Sequence, residues 1–350
     1  MNDPTPALSP LLARLRATFG ATLGPIRDCA LIDFPDHANV GDSAIWLGEI
    51  ALLQDLGVRI RHACALHQYS APALRRALPP GATILIHGGG NFGTLWPRHQ
   101  QLRESLLQEF PDYRVVQLPQ SIHYSDRDSL DATARVIANH PDFTLMVRDE
   151  ASYRIAADQL RAKTVMSPDA ALALAGTLPR VRPEVDCFVL ARTDKEQSGI
   201  DLAQAAAGAA PGLSVRVDDW LAESHSRLWR LASQARARLQ PGTLPLSAAA
   251  HLALCNAAAR HRVTRGVRML GQGRSVVTDR LHGMILSACA GIPCVALDNN
   301  YGKVSAFHHQ WFANLPDCVV AASVPQAMAQ ARALRGMPAA APGAQHRPSA

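Results

Sequence analysis

The chain has 350 residues, 48% of them hydrophobic and only 5% aromatic, which is room for two ordinary domains cored by Ala, Leu, Val and Ile. Its net charge is +6, carried almost wholly by scattered arginines because Lys occurs only at 163, 195 and 303. No Lys/Arg block or basic patch interleaved with aromatics marks a nucleic-acid partner, so an anionic small substrate or an anionic membrane surface accounts for the charge. Seven cysteines (29, 64, 187, 255, 289, 294 and 318) are an odd number with no C-x-x-C pair, a pattern of neither a disulfide framework nor a zinc site. They read as buried small hydrophobes in a reducing cytoplasm. The longest apolar run, Met284–Leu297, is broken by Gly and Pro and is too short to span a bilayer. The expected location is cytoplasmic, either without membrane contact or peripheral at the inner membrane face.

In chain order, a first helix is predicted over Ser9–Thr18. The apolar strand Ala30–Phe34 then leads through the polar loop Pro35–Gly41 into helix Ser43–Leu56, which Gly57 stops. Val58–Ile60 reads as a strand and Ala71–Ala77 as a helix. Thr83–Ile86 is a buried-type strand running straight into a loop, His87-Gly88-Gly89-Gly90-Asn91. Helix Gln100–Glu109, strand Arg114–Leu118, helix Asp128–Ala138, strand Thr144–Val147, helix Ala151–Gln159 and strand Lys163–Met166 follow. Gly176–Pro183 has the composition of a linker. A second set comprises strand Asp186–Leu190, helix Leu202–Ala207, strand Ser214–Val217, and helices Ser224–Leu239 and Ser247–His261. Strand Ser275–Val277, helix Leu281–Ala290 and strand Pro293–Leu297 complete it, with Thr264–Leu270 either a helix continuation or an edge strand. Strand–helix alternation predicts an α/β protein with two doubly wound, parallel-sheet, Rossmann-like domains. The expected bounds are 1–178 and 184–335, with a ligand cleft between the domains and a disordered Pro/Ala/Gly-rich tail over 336–350.

The strongest chemical signal is Thr278-Asp279-Arg280-Leu281-His282-Gly283, at a strand end opening a helix. Ligands of open α/β sheets bind at such ends, and the free N–H groups there favour an anion. Arg280 supplies a planar cation and His282 a proton exchanger near neutral pH. The structural alternative is an Asp279-capped helix with a packed His. The triple glycine lacks the G-x-S-x-G partner of a hydrolase oxyanion loop and does not read as a G-x-G-x-x-G turn opening a helix, which leaves a turn where backbone approaches a ligand. Asp42 is placed either to accept from a sugar hydroxyl or to cap the helix behind it. On local sequence alone His99 is structural, Arg148 pairs with Asp149 or Glu150, and Lys303 is either a solvated surface residue or an anion contact.

Taken together, HANVGDSAI (37–45), HGGGNFGTLWPRHQ (87–100), LPQSIHY (118–124), VRDEASY (147–153), SPDAAL (167–172), TDRLHG (278–283) and then GIPCVAL with Lys303 occur in one order. The set resembles the polysaccharide pyruvyl transferase family. The resemblance implies two Rossmann-like domains in a GT-B-like arrangement. It also implies transfer of pyruvate from phosphoenolpyruvate to two hydroxyls of a sugar, with a cyclic ketal and phosphate as products, in exopolysaccharide or cell-envelope glycan synthesis. Arg280 and His282 are then catalytic. His99, Arg148, Arg280, Leu281 and Lys303 bind phosphoenolpyruvate, and Asp42 and Asn91 face the acceptor, which is either free or lipid-linked. No metal and no cofactor is implied, phosphoenolpyruvate being a substrate. The alternatives are a GT-B-like glycosyltransferase using a nucleotide-sugar and a non-catalytic subunit of a polysaccharide assembly complex. Residues 195–245 match nothing in the family.

Overall fold

A computed structural model describes residues 6–192, 202, 204, 206, 212–221, 247–298 and 302–334. The chain divides into two compact units, Leu11–Ala173 with Leu221–Val263, and Met1–Pro10 with Leu174–Trp220 and Thr264–Ala350. The predicted helix Ser224–Leu239, most of Leu202–Ala207 and the tail lie outside the described residues.

In the first unit, α1 (Ser9–Leu23) precedes β1 (Asp28–Phe34), α2 (Val40–Asp55), β2 (Arg59–Ala65), α3 (Ala71–Ala77), β3 (Thr83–Ile86), β4 (Gly89–Gly93) and α4 (Pro97–Glu109). Then come β5 (Arg114–His123), α5 (Arg127–Ala138), β6 (Phe143–Val147), α6 (Glu150–Arg154) and β7 (Lys163–Met166). The sheet runs β2-β1-β3-β5-β6-β7, with β4 pairing β5 off this path, and its pairings are parallel. The chain steps from β1 outward to β2 and then back across to β3. The carboxyl ends of β1 and β3 therefore flank the topological switch point, where open α/β sheets bind ligands. Both faces are covered by helices, which is why strands such as Thr83–Ile86 are apolar throughout. Ile32, Ile84, Leu106, Val115 and Leu145 meet in one core.

The second unit contains β8 (Val185–Leu190), β9 (Val215–Asp218), the end of α7 (Ala248–Leu270), β10 (Gly273–Thr278), α8 (Leu281–Ala290), β11 (Cys294–Leu297), α9 (Lys303–Phe307), β12 (Cys318–Ala321) and α10 (Val324–Leu334). Its sheet order, β12-β11-β10-β8-β9, is again parallel and doubly wound. The switch point lies between β8 and β10. Thr264–Leu270 is helical and belongs to α7. The part of α7 before Thr264 packs on the first unit's own core, where Trp46 Nε1 donates to Asn256 Oδ1 at 2.8 Å.

Several boundaries differ from the sequence reading. The expected helix Ser43–Leu56 starts at Val40, because the Asn39 side chain accepts from Gly41 N at 3.0 Å and caps it three residues earlier. Gly57, at φ 68°, ends it as expected. The expected helix Ala151–Gln159 is a short α6 that continues as a π turn over Ile155–Gln159. The predicted loop after β3 contains β4. Strand β12 and helices α9 and α10 carry weaker periodic signals and escaped the sequence reading.

Gly48 of α2 permits a contact no other residue allows, since a Cβ there would lie 1.9 Å from the Ala170 carbonyl oxygen. None of the seven cysteines is in a disulfide, and all are buried. Among the described residues, no helix is long and apolar enough to cross a membrane.

His62 of β2 gives this unit an acid sensitivity. Burial, reinforced by His251, holds its imidazole down at about 4 against an ordinary value of 6.5. The unfolded chain therefore takes up this proton first as pH falls below 6.5, and stability drops until the folded group titrates near 4. At about 1.4 kcal/mol per unit, the loss between pH 7 and pH 4 is about 3 kcal/mol from this residue. Urea unfolding of His62→Leu across that range should show a flatter decline than the parent; an identical pH slope would remove His62 as its source.

Candidate active site

The first cluster forms at the switch point of the first unit. β1 carries a one-residue bulge between Ile32 and Phe34, and the bulged residue, Asp33, adopts φ 75°. A left-handed, non-glycine residue at the end of a buried strand is a costly conformation of a kind concentrated at functional sites. The Asp33 carboxylate is buried and receives His99 Nδ1 at 2.8 and 3.0 Å from its two oxygens. Asn91 Nδ2 donates to it at 3.2 Å. The Asn91 carbonyl in turn accepts from Arg103 at 3.0 Å and Gln120 at 2.9 Å. Burial by itself would raise the Asp33 carboxyl; the hydrogen bond from His99 and the charges of His99, His87 and Arg103 outweigh it and hold the group below its ordinary value. Arg103, buried among Gln100, Gln117 and Asn91 and lying 4.2 Å over the Phe92 ring, is itself drawn down to about 10 by desolvation.

A second carboxylate–imidazole pair lies alongside. His87 Nδ1 and Glu49 Oε2 are 2.7 Å apart, both buried, and Gly88 N donates to the other Glu49 oxygen at 2.8 Å. Burial favours the neutral His87, but Glu49, Asp42 and Asp33 reverse this and raise its imidazole.

Packing and backbone conformation account for Gly88 and Gly89 of the triple glycine, and for Gly93 beyond it. A Cβ on Gly88 would meet the Pro119 carbonyl at 2.6 Å, and one on Gly93 the His123 carbonyl at 2.0 Å. Gly89 and Gly93 take φ 127° and 100°. The spacing Gly88-x-Gly90-x-x-Gly93 is in fact G-x-G-x-x-G, but it builds β4 beside β5 and opens no helix, so the dinucleotide turn is not formed. Asp42 is not the helix cap, a position that Asn39 occupies. Its carboxylate accepts from Asn39 at 2.9 Å, and His37 Nε2 lies 3.6 Å away.

Arg148 is 3% exposed and follows β6. It donates to Asp169 at 2.5 Å and to Ser121 Oγ at 3.0 Å. The expected pairing with Asp149 or Glu150 does not occur. Asp149 is turned back to cap α6 through Ser152 N at 2.8 Å, and Glu150 pairs one turn on with Arg154 at the surface.

The second cluster lies at the carboxyl edge of the second sheet. Arg280 is the N-cap of α8, with extended backbone and its N–H on Thr278 Oγ1 at 3.0 Å. The alternative of an Asp279 cap is thereby removed: Thr278 holds the turn, and Asp279 Oδ1 is buried without a hydrogen-bond partner. Burial, partly offset by Arg280 and Arg192, raises the Asp279 carboxyl. The Arg280 guanidinium donates to both Asp219 oxygens at 2.8 and 2.9 Å and lies 5.7 Å from the Trp220 ring centre. Trp220 is itself buried, with its indole N–H unpartnered. Leu281 is buried, while His282 is half-buried on the first turn of α8. Gly283 is small because a Cβ would fall 2.7 Å from Thr278 Oγ1. Lys303 begins α9 just beyond β11, where Asp298 accepts from Val304 N at 3.3 Å.

Asp33, Glu49, Arg103, Asp169, Asp219 and Trp220 escaped the sequence reading. The available signal was a charged residue inside an otherwise apolar element, as in Ala30-Leu31-Ile32-Asp33-Phe34.

Two doubly wound sheets, each with cations and proton-exchanging groups at its switch point, define an α/β protein of the kind that binds anionic ligands and performs group transfer at strand ends. The family model described as polysaccharide pyruvyl transferase matches residues 39–301, and the chain belongs to that family. Pyruvyl transferase 1 of Schizosaccharomyces pombe is 33% identical over 82% of this chain and 70% of its own length. The Bacillus subtilis protein EpsO, named for pyruvyl transfer, is 31% identical over 81% of this chain and 85% of its own. A solved structure of an uncharacterised Klebsiella pneumoniae protein shares the fold with a TM-score of 0.57, at 15% identity over 89% of this chain and 99% of that one.

Proposed function

We propose that the protein transfers pyruvate from phosphoenolpyruvate to two hydroxyls of a sugar in an exopolysaccharide or cell-envelope glycan, forming a cyclic ketal and releasing phosphate. The observation that carries this reading is Arg280, fixed at the N-cap of α8 on the carboxyl edge of β10 with His282 in the first turn of that helix, in a chain of the pyruvyl transferase family. Arg280, Lys303 and the N–H groups around Leu281 suit the donor's phosphate and carboxylate. His282 delivers a proton to the donor's methylene carbon, which leaves an electrophilic carbon for a sugar hydroxyl; such proton transfer contributes about 10²–10⁴-fold in rate. Asp42 and Asn91, beside Asp33 and His99, supply polar groups to the acceptor. Arg148 ties Ser121 to Asp169.

A thermal-shift comparison tests the donor. Phosphoenolpyruvate at about 100 times its dissociation constant should add roughly 2.7 kcal/mol of stability, whereas nucleotide-sugars should add none. A shift with a nucleotide-sugar alone would replace this reading by glycosyl transfer.

A further inference from the structure

Trp96 is the most exposed large apolar side chain among the described residues, at 45%, whereas Trp46 and Trp220 are buried. A lone surface hydrophobe is ordinary; the mounting of this one is not. Trp96 is the N-cap of α4, a position that favours Ser, Thr, Asp or Asn, and it makes no side-chain capping bond there. Pro97 follows at once in the first turn. The short segment leading to it is pinned: Gly93 N donates to Gln100 Oε1 at 3.0 Å, Thr94 N to the His123 carbonyl at 2.9 Å, and Ser125 N to Thr94 Oγ1 at 2.8 Å. The Trp96 carbonyl accepts from His99 N at 3.0 Å and Gln100 N at 3.2 Å. The same turn therefore carries the exposed indole and His99, whose Nδ1 meets Asp33, the carboxylate that also accepts from Asn91. Asp42 Oδ1 is 3.5 Å from the Cβ position of Gly89, two residues before Asn91 in β4. An apolar ring face thus stands in water on a rigid mount, beside polar groups at the carboxyl edge of the sheet.

A pyranose fits this pairing. Its C–H face, polarised positive, suits the negative face of an aromatic ring, and its rim of hydroxyls suits carboxylates and amides. Resting on the pyruvyl-transfer reading, we propose that the Trp96 indole is the platform on which a pyranose ring of the acceptor stacks, and that it selects the acceptor by its ring face. The hydroxyl rim of a ring so seated meets Asn91 and Asp42. The indole has only two side-chain torsions to order, and its mount is fixed before the sugar arrives, so little conformational cost opposes binding. A stacked ring is held alike in the ground state and the transition state, so Trp96 sets acceptor affinity and not turnover. Trp96, His99, Asn91 and Asp42 all belong to one compact unit.

Phosphate release tests this, with phosphoenolpyruvate saturating and methyl β-galactoside, methyl β-glucoside, methyl α-mannoside or N-acetylmannosamine varied. Trp96→Ala should raise KM for the sugar about 10–100-fold, the range for a ring stacked on an aromatic face. Its kcat and its KM for phosphoenolpyruvate should change by no more than about twofold. Trp96→Phe, which keeps a smaller face, should recover most of the loss. Indole emission reads binding without turnover. The sugar that supports release, added to the full chain without donor, should shift emission to shorter wavelength. Sorbitol, which has hydroxyls but no ring face, should not, and Trp96→Phe should lose the shift. A parental sugar KM in folded Trp96→Ala, a loss of kcat or of phosphoenolpyruvate affinity in its place, or a shift given by phosphatidylglycerol vesicles and by no sugar would each overturn the platform. A parent that releases no phosphate with any of these sugars overturns the pyruvyl-transfer reading instead. Emission then decides the platform alone: a sugar-specific shift lost in Trp96→Phe sustains it, and no shift overturns it.

Discussion

Arg280→Lys is expected to lower kcat/KM for phosphoenolpyruvate by about 10²–10³-fold, the loss that follows removal of one preorganised donor from a developing charge, about 2.7–4 kcal/mol. The size of the effect comes from geometry. In the protein, the guanidinium donates to both Asp219 oxygens, lies over Trp220, and is anchored by its own backbone N–H on Thr278. A planar fork so fixed has its N–H directions set, the geometry that suits a phosphate or carboxylate. The Lys ammonium is a compact point charge on a flexible stem; it can keep an attraction to Asp219 but not the fork. Steady-state phosphate release with the donor varied, beside far-UV circular dichroism to establish folding, checks the outcome. A folded Arg280→Lys protein with parental kcat/KM would remove Arg280 from the donor site.

Asp169→Ala should cost about 3–5 kcal/mol of stability, because it takes from the buried Arg148 guanidinium the carboxylate it is paired with. Arg148 is 3% exposed and Asp169 1%, so water cannot replace the lost partner. Asp169 also accepts from Ala171 N at 2.8 Å, a turn-capping bond that contributes about 1 kcal/mol. Asp169→Asn keeps that acceptor and removes only the charge, so it should lie within about 1 kcal/mol of the Ala variant if the ion pair dominates. Replacing both partners, Arg148→Met with Asp169→Leu, should recover most of the loss, since apolar residues of similar volume need no counter-charge. Urea unfolding midpoints at constant m resolve these cases; an Asn variant as stable as the parent would show that the cap, and not the charge pair, holds this corner.

Strand and helix identities were legible because they rest on local periodicity. Thr83–Ile86 and Lys163–Met166 form where their apolar runs lie, and Leu281–Ala290 begins and ends where the Arg280–Gly291 punctuation places it. The Arg280–His282 pair was legible for the same reason, since a strand, a turn and a helix start are adjacent in the chain. His99 and Arg148 stood out only through family resemblance. Their partners were invisible locally, being 66 residues away for His99 and Asp33 and 21 for Arg148 and Asp169. The triple glycine was legible as a special backbone but not as a strand, because its cause is the nearby carbonyl of Pro119 on another element.

The sequence by itself determined an α/β chain with parallel sheets, the strand-end position of its chemical motifs, and its family. Only the tertiary structure decided which charged groups face each other: Asp33 with His99, Glu49 with His87, Arg148 with Asp169, and Arg280 with Asp219 across 61 residues. The division has a physical cause. Hydrophobic period is a property of a few neighbouring residues, whereas a charge pair depends on strand order, register and bulges, and a shift of one residue turns a side chain to the opposite face. Asp33, displaced by one bulged residue at the end of β1, is the case where that shift places the carboxylate on His99.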